Sequence, residues 1–493
     1  MRYSSTPSAE ELGNVHFVGI GGAGMSAIAR ILLARSVTVS GSDARDSEIL
    51  AQLGSLGATV HAGHNAEWAG SADTVVVSTA IRSDNPEVRA ATAAGARVIH
   101  RSQALAAAMD GKSVVAVAGT HGKTTTTAMI TVMLHHNGLD PSFAVGGDVA
   151  GLSVNAAHGS GDWFIAEADE SDGSFLNYRP NVAVVTNVEP DHLDHYGSPE
   201  AVYAAFDSFV DRLAPGGTLI ACADDGGAGA LVERLRERAR DGRAAAEWAG
   251  DDRGGGGGIR VLTYGFSESS TVRIVSSESW DRTSTAVLEF GDGGTVRRQE
   301  LVLAVPGTHN ILNAAAAFAA GLQAGLTADA AAEGLSAFSG AARRFEFKGE
   351  AGGVRVFDDY AHHPTEVLAA LTAARTVAGP GRVHVLFQPH LFSRTKEFAV
   401  GFADALSAAD SATVMDIYPA REDPMEGVTS ELITGRLAGR CYQPDLQRAL
   451  DRVVSMASCG DIVLTVGAGD VTQYGPLILN RLEGGTVGND QGD

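Results

Sequence analysis

An α/β fold in three parts is predicted by three features of this chain. Its 493 residues exceed what a single hydrophobic core organises. Each part alternates short apolar runs, which read as strands, with Ala-rich helical stretches. The first two parts each open on a strand, a glycine-containing turn and a helix. That junction places backbone N–H groups and a helix N-terminus around an anion.

The first part runs from about Asn14 to Asp110. Val15–Ile20, Val37–Ser40, Thr74–Val77 and Arg97–Ile99 read as strands of a parallel, doubly wound sheet. After the first strand comes Gly19-Ile20-Gly21-Gly22-Ala23-Gly24-Met25-Ser26. Gly21, Gly22 and Gly24 let the backbone approach a diphosphate, and Met25 and Ser26 open the helix. The G-x-G-G-x-G spacing departs from the dinucleotide fingerprint, and a plain tight turn is the alternative. Asp43 closes the second strand, where an acidic side chain often meets a ribose hydroxyl.

The second part runs from Lys112 to about Gly340. The apolar run Val114–Val117 leads into Gly119-Thr120-His121-Gly122-Lys123-Thr124-Thr125, and a helix-like stretch follows from Thr126 to His136. This is a phosphate loop: Lys123 suits the terminal phosphates and the Thr124 hydroxyl suits Mg²⁺. The full loop pattern wants glycine at position 117, where valine stands. The strand Trp163–Ala166 delivers Glu167, a carboxylate placed to hold Mg²⁺ against a triphosphate, with Asp169, Glu170 and Asp172 as substitutes. Val182–Val185 leads to His192, a metal or phosphate ligand or else a structural histidine. His309, Asn310 and Asn313 open an Ala-rich helix; the two asparagines share one face and suit a nucleobase or a helix cap. Val272–Leu303 alternates as antiparallel β. Ala244–Gly258, which ends in five glycines, reads as a flexible surface insertion.

The third part starts near Phe345. Its strands read as Val354–Phe357, Val383–Phe387, Thr413–Ile417 and Asp461–Val466. Arg343-Arg344 stands at its entry. Asp358-Asp359-Tyr360-Ala361-His362-His363 ends one strand, and Gln388 to Thr395 ends the next. Arg394 in the latter suits a carboxylate held bidentately. The tail from Glu483 is expected to be disordered.

Composition narrows the function. Hydrophobic residues make up 44% and charged ones 19%, an ordinary globular balance. A net charge of −22 argues against nucleic acid or an anionic membrane as partner. Cys222, Cys441 and Cys459 are too widely spaced for a metal or redox motif. No apolar run approaches the roughly 20 residues of a membrane span, and the polar start lacks a signal-peptide core. A cytoplasmic protein is expected.

Six segments, in order, carry a resemblance. They are the glycine motif 19–26, the phosphate loop 119–125, Glu-Ala-Asp-Glu-Ser-Asp at 167–172, Glu-Pro-Asp-His-Leu-Asp at 189–194, Asp-Asp-Tyr-Ala-His-His-Pro-Thr-Glu at 358–366, and Phe-Gln-Pro-His at 387–390. Together they resemble the Mur ligases, over roughly Asn14 to Leu479. The resemblance implies an N-terminal Rossmann-like domain for a UDP-sugar (1–110) and a central P-loop ATPase with a mixed sheet (111–340). It also implies a C-terminal Rossmann-like domain (341–493) that closes over ATP and binds an amino acid. The glycine motif would then hold UDP and not NAD. The implied reaction joins L-alanine to UDP-N-acetylmuramate with ATP and Mg²⁺, as a cytoplasmic step of peptidoglycan synthesis by a monomer or homodimer.

By the same resemblance, Gly119 to Thr125 would hold ATP, with Thr124, Glu167 and His192 on metal. His309, Asn310 and Asn313 would meet the adenine and neighbouring groups, and Arg344 and Asp359 the ATP phosphates and ribose. Gly21, Gly22, Gly24, Met25, Ser26, Asp43 and His192 would hold the UDP-sugar. Tyr360, His362 and Arg394 would orient the amino acid; Leu391 stands where some relatives carry a basic residue. Lys123, Glu167, His192, Arg344 and Asp359 form the expected catalytic set. A tripeptide-attaching ligase on the same scaffold is the nearest rival; a nucleotide-binding protein without turnover and a dinucleotide oxidoreductase are the others.

Overall fold

The computed structural model describes residues 8–152, 154–240, 258–292, 294–420, 422–437 and 441–485. The expected insertion therefore lies outside the described residues, apart from Gly258. The chain forms two compact units. One comprises Met1–Ser276, Val287–Leu301 and Leu312–Phe338, and the other Ser277–Ala286, Val302–Ile311 and Ser339–Asp493. Three sheets run through them, as an α/β fold requires.

The first sheet holds β1 (Val15–Val18), β2 (Val39–Asp43), β3 (Thr59–Ala62), β4 (Thr74–Val77) and β5 (Arg97–His100). All its pairs are parallel, in the order β3-β2-β1-β4-β5. The order reverses between β1 and β4, so a crevice for ligands opens at the carboxyl ends of these strands. The glycine motif sits there. The helix Ala23–Ala34 then buries Ala27, Ile28, Ile31 and Leu32, the i, i+1, i+4, i+5 stripe of an amphipathic helix.

A buried polar knot ties this sheet together. Glu87 is fully buried. It accepts from Ser42 Oγ at 2.6 Å and Asn65 N at 3.0 Å, and His16 Nε2 lies 3.4 Å away. Burial pushes its carboxyl up, but the bonds from His16, Ser42 and Asn65 outweigh it and hold the group below the usual range. Glu87→Ala strands these donors and is expected to cost about 3 kcal/mol, read as a lower urea midpoint. An unchanged midpoint would mean that water replaces the carboxylate.

The second sheet has ten strands. Its centre is β6 (Ser113–Ala118), and next come β7 (Ser142–Val149), β8 (Val154–Ala157), β9 (Trp163–Glu167), β10 (Val182–Val185), β11 (Thr218–Cys222) and β12 (Arg260–Gly265). The sheet ends in β13 (Val272–Trp280), β14 (Thr283–Asp292) and β15 (Thr295–Leu303). The order is β15-β14-β13-β12-β11-β10-β6-β9-β7-β8. β6 is parallel to both β9 and β10, while β7 and β8 are antiparallel, so the sheet is mixed. The helix after β6 begins at Lys123, three residues earlier than the sequence implied, because Gly122 at φ 81° turns the chain directly into it. It is buried almost all round, from Thr124 to Leu134, which is why it shows no polar stripe.

The third sheet comprises β16 (Glu346–Ala351), β17 (Val354–Asp359), β18 (Val383–Phe387), β19 (Ser411–Val414), β20 (Cys441–Tyr442) and β21 (Ile462–Val466), in the order β16-β17-β21-β18-β19-β20. Its two faces bury separate clusters. Val383, Val385 and Phe387 point one way with Leu371 and Phe402; Leu386 and Val463 point the other with Leu450 and Ile478. β19 starts and stops earlier than the predicted Thr413–Ile417. Its neighbour β18 ends at Phe387, and Pro389 beyond offers no amide for a ladder. The terminal helix Tyr474–Gly485 takes in the first three residues of the tail expected to be disordered from Glu483, and the rest of that tail lies outside the described residues. Among the described residues no helix is long and apolar enough to cross a membrane, and the three cysteines are free.

Candidate active site

The phosphate loop is held from outside by the segment after β10. Thr120 N and Thr186 N donate to Asn187 O and Ala118 O at 3.1 Å each, and His121 N donates to Asn187 Oδ1 at 2.7 Å. Thr120 Oγ1 receives Glu189 N at 2.8 Å. Gly119, at φ 136°, leaves no room for a side chain: a Cβ there would collide with Thr186 Oγ1 and lie 3.0 Å from Asn187 O. Asn313 lies against Gly122, its Oδ1 2.7 Å from where a Cβ would stand.

Lys123 curls over this loop. Its ammonium donates to Gly119 O at 2.6 Å, Thr120 O at 3.1 Å and Glu170 Oε1 at 2.9 Å. Burial works against its charge, but Glu170, Asp169 and Glu167 together hold the proton on it. Thr124 Oγ1 donates to Glu167 Oε1 at 3.1 Å, and Glu167 Oε2 receives Gly146 N at 2.7 Å. Lys123 thus pairs with Glu170 and not with the expected metal carboxylate, so Glu170 has work of its own. Glu170 is 2% exposed, and its Oε2 has no hydrogen-bond partner among the described residues. His192 adopts a left-handed φ of 54° and turns its Nε2 to Glu170 Oε1 at 3.7 Å and Asp191 Oδ2 at 3.5 Å. A left-handed histidine is strained, a state commonly stored at functional positions. The Thr124 hydroxyl and the Glu167 carboxylate, hydrogen-bonded to each other at the start of the helix, are oxygen donors of the kind Mg²⁺ takes.

At the glycine motif, Gly21 N donates to Asp43 Oδ2 at 3.0 Å, and a Cβ on Gly21 would meet that carboxylate. Asp43 therefore braces the turn as well as standing near it. Gly22 caps the following helix without a side-chain bond to its first N–H groups.

The second unit carries the remaining predicted residues. Asp359 ends β17 and accepts from Phe345 N at 2.8 Å and Ala361 N at 2.7 Å. Arg343 and Arg344 stack on the Tyr360 ring at 4.7 and 5.1 Å. His362 N donates to Glu366 Oε2 at 2.9 Å, and its ring meets that of His390 at 6.4 Å. Arg394 is 7% exposed in the helix Phe392–Leu406 and adds to the field that holds the Glu422 carboxyl low. Asn310 Nδ2 bonds Pro306 O at 2.8 Å, and the half-buried His309 ring packs beside Gly307. Burial lowers the His309 imidazole to about 4, so it is neutral at physiological pH.

Burial also drives the Asp359 carboxyl up to about 6, against Arg344 and two amide donors. The folded state thus binds this proton more tightly than the unfolded chain. The stabilisation is complete below about pH 4 and is lost as pH rises through 6, a swing of roughly 3 kcal/mol. Asp359→Asn removes the titration. Wild-type stability minus variant stability is therefore expected to fall between pH 4 and pH 7 in urea titrations. A flat difference would place the carboxyl in an ordinary environment.

Three family models match. The Mur ligase family catalytic domain covers residues 14–113, the Mur ligase middle domain 117–242, and the Mur ligase glutamate ligase domain 343–469. A UDP-N-acetylmuramate–L-alanine ligase of Renibacterium salmoninarum is 59% identical over 472 residues, covering 96% of each chain. The chain belongs to the Mur ligase family. A second relative of this Mur ligase, also named UDP-N-acetylmuramate–L-alanine ligase, comes from Paenarthrobacter aurescens. It is 57% identical, covering 98% of this chain and 100% of its own. The crystal structure of UDP-N-acetylmuramate–alanine ligase MurC from Thermotoga maritima superposes with a TM-score of 0.75 at 28% identity, covering 96% of this chain and 99% of its own. A murein peptide ligase from Psychrobacter arcticus shares the fold, with a TM-score of 0.67 at 23% identity.

Within this Mur ligase, Lys123, Thr124 and Glu167 gather in the first unit with Gly119, Gly122 and Asn313. Arg344, Asp359 and Tyr360 gather in the second. Sequence reasoning missed Thr186 and Asn187, which hold the loop. Thr186 and Asn187 directly follow a buried strand in register with β6, the signal that could have found them.

Proposed function

We propose that this Mur ligase joins L-alanine to UDP-N-acetylmuramate at the expense of ATP. The single observation that carries the reading is the phosphate loop, with Lys123 buried on it and Thr124 paired to Glu167, in a chain 59% identical to an enzyme of that name. Residues 1–110 would bind the UDP-sugar through Gly21, Gly22, Gly24, Met25, Ser26 and Asp43. Residues 111–340 would bind ATP. Residues 341–493 would supply Arg344 and Asp359 to the nucleotide, and Tyr360, His362 and Arg394 to the amino acid.

The muramate carboxylate attacks the γ-phosphorus and ADP leaves, giving an acyl phosphate. The alanine nitrogen then attacks the carbonyl carbon, loses a proton, and expels phosphate. Both steps crowd negative charge, so catalysis is positioning and electrostatics. The Lys123 ammonium answers the charge on the β- and γ-phosphates. Thr124 and Glu167 would hold one Mg²⁺ and His192 a second, and the metal would further neutralise the phosphates. Arg394 suits the alanine carboxylate.

Phosphate release from ATP and Mg²⁺ tests the reading. It is expected only when UDP-N-acetylmuramate and L-alanine are both present. Turnover with L-Ala-γ-D-Glu-meso-diaminopimelate and none with L-alanine would move the enzyme to the tripeptide branch.

A further inference from the structure

We infer that Arg101 is a binding residue for the anionic part of the sugar nucleotide, and that its pairing with Asp169 ties that subsite to the carboxylates around Lys123. The inference rests on the reading of the glycine motif as a UDP-sugar site. Arg101 directly follows β5 and opens the helix Arg101–Ala108, so it stands at the carboxyl edge of the first sheet, on the same side as the glycine motif. Its Nη1 lies 3.2 Å from the position that a Cβ on Gly24 would take. A side chain at residue 24 would push the guanidinium aside, which gives Gly24 a reason beyond its backbone. Its Nη2 donates to Asp169 Oδ2 at 3.1 Å.

A guanidinium offers five N–H donors in a planar fork. Among the described residues Asp169 is the one hydrogen-bond partner this fork shows. The donors left over lie beside Gly24, in the first turn of the helix Ala23–Ala34, where Gly22 provides no side-chain cap. Backbone N–H groups and a fixed cation therefore converge on one point, in a protein whose net charge is −22. A diphosphate or a sugar-borne carboxylate satisfies both.

The second half of the inference follows from what Asp169 adjoins. Glu167, the partner of Thr124, is two residues before it, and Glu170, the partner of Lys123, is next in the chain. The same turn makes two more contacts with this segment and the turn that follows it. His100 Nε2 lies 3.7 Å from Asp172 Oδ2, and Asn177 Nδ2 donates to Ser102 Oγ at 2.8 Å. Arg101 and His100 thus face the acidic segment that serves the phosphate loop, and Ser102 holds the turn just after it through Asn177. An anion on Arg101 draws on the same guanidinium that holds Asp169 in place.

Calorimetric titration of the full chain with UDP, UDP-N-acetylglucosamine and UDP-N-acetylmuramate tests the binding half. Arg101→Ala is expected to weaken UDP-N-acetylmuramate by about 30-fold, the worth of a charged hydrogen-bond pair. Arg101→Lys is expected to recover that only in part, since a point charge cannot serve Asp169 and a ligand together. ATP binding by both variants is expected within about threefold of wild type, which shows that they are folded. Equal weakening of all three ligands assigns the diphosphate to Arg101; weakening of UDP-N-acetylmuramate alone assigns the carboxylate. Wild-type affinity for all three in Arg101→Ala overturns the inference while leaving the proposed function intact. A wild-type chain that binds none of the three overturns the proposed function itself. For the coupling, Asp169→Asn keeps the guanidinium and loosens its tether. The sugar-nucleotide KM is expected to stay within about threefold while kcat falls about tenfold. An unchanged kcat overturns the coupling.

Discussion

Replacing Lys123 with methionine is expected to lower kcat by about 10³-fold, or roughly 4 kcal/mol of transition-state stabilisation. Methionine keeps most of the apolar stem and loses only the ammonium. That ammonium bridges Gly119 O, Thr120 O and Glu170 Oε1. Its removal has two effects that need separating. The phosphates lose a fixed positive charge, and Glu170 becomes a buried carboxylate without its cation, which destabilises the fold. The double variant Lys123→Met with Glu170→Gln relieves the second effect only. Thermal melting of the double variant is therefore expected to recover, while phosphate release stays low. Recovery of both would make Lys123 a structural cation; recovery of neither would mean that the loop collapses without it. Lys123→Arg is not expected to rescue, because a planar fork cannot occupy a place shaped by two carbonyls and a carboxylate.

The strands of this protein were legible because buried parallel strands are written as short apolar runs. Val182–Val185, Thr74–Val77 and Val383–Phe387 fall where the sequence put them. Their ends were less legible, because tertiary pairing decides them: β19 stops where its neighbour meets Pro389, and β2 runs on to Asp43 because that residue pairs with Ala62 of β3. The chemistry divides in the same way. Lys123, Thr124 and Glu167 announce themselves by type and by position after strands. Which carboxylate serves which cation does not, since Glu167 and Glu170 are three residues apart and only the fold sends one to Thr124 and the other to Lys123. Asn310 and Asn313 share a helical face as expected, yet Asn310 bonds Pro306 O while Asn313 lies against Gly122. Arg101 carried no signal at all. His-Arg-Ser-Gln reads as an ordinary helix start, and its importance appears only when Gly24 and Asp169, distant in sequence, are brought to it.

Gly119→Ala is expected to cost more than any other single methyl group added to the loop. Two penalties coincide at this position. The backbone sits at φ 136°, a region that alanine rarely adopts. The added carbon also meets Thr186 Oγ1 and lies 3.0 Å from Asn187 O and 3.1 Å from Asn187 N. The two backbone atoms belong to the segment after β10, which receives Thr120 N and His121 N, so the loop cannot yield without breaking its own supports. Strain and overpacking together give an expected loss of about 3–5 kcal/mol, with phosphate release reduced in the protein that still folds. Gly57→Ala separates the two penalties. Gly57 also has a positive φ, 103°, but has nothing within 4 Å of a Cβ. It is expected to cost only the conformational part, about 1 kcal/mol, with activity unchanged. Equal losses at the two positions would mean that backbone strain alone governs the loop. A much larger loss at Gly119, reversed in part by Thr186→Ala but not by Thr186→Ser, which keeps the hydroxyl, would locate the conflict at the threonine that closes the phosphate loop from outside.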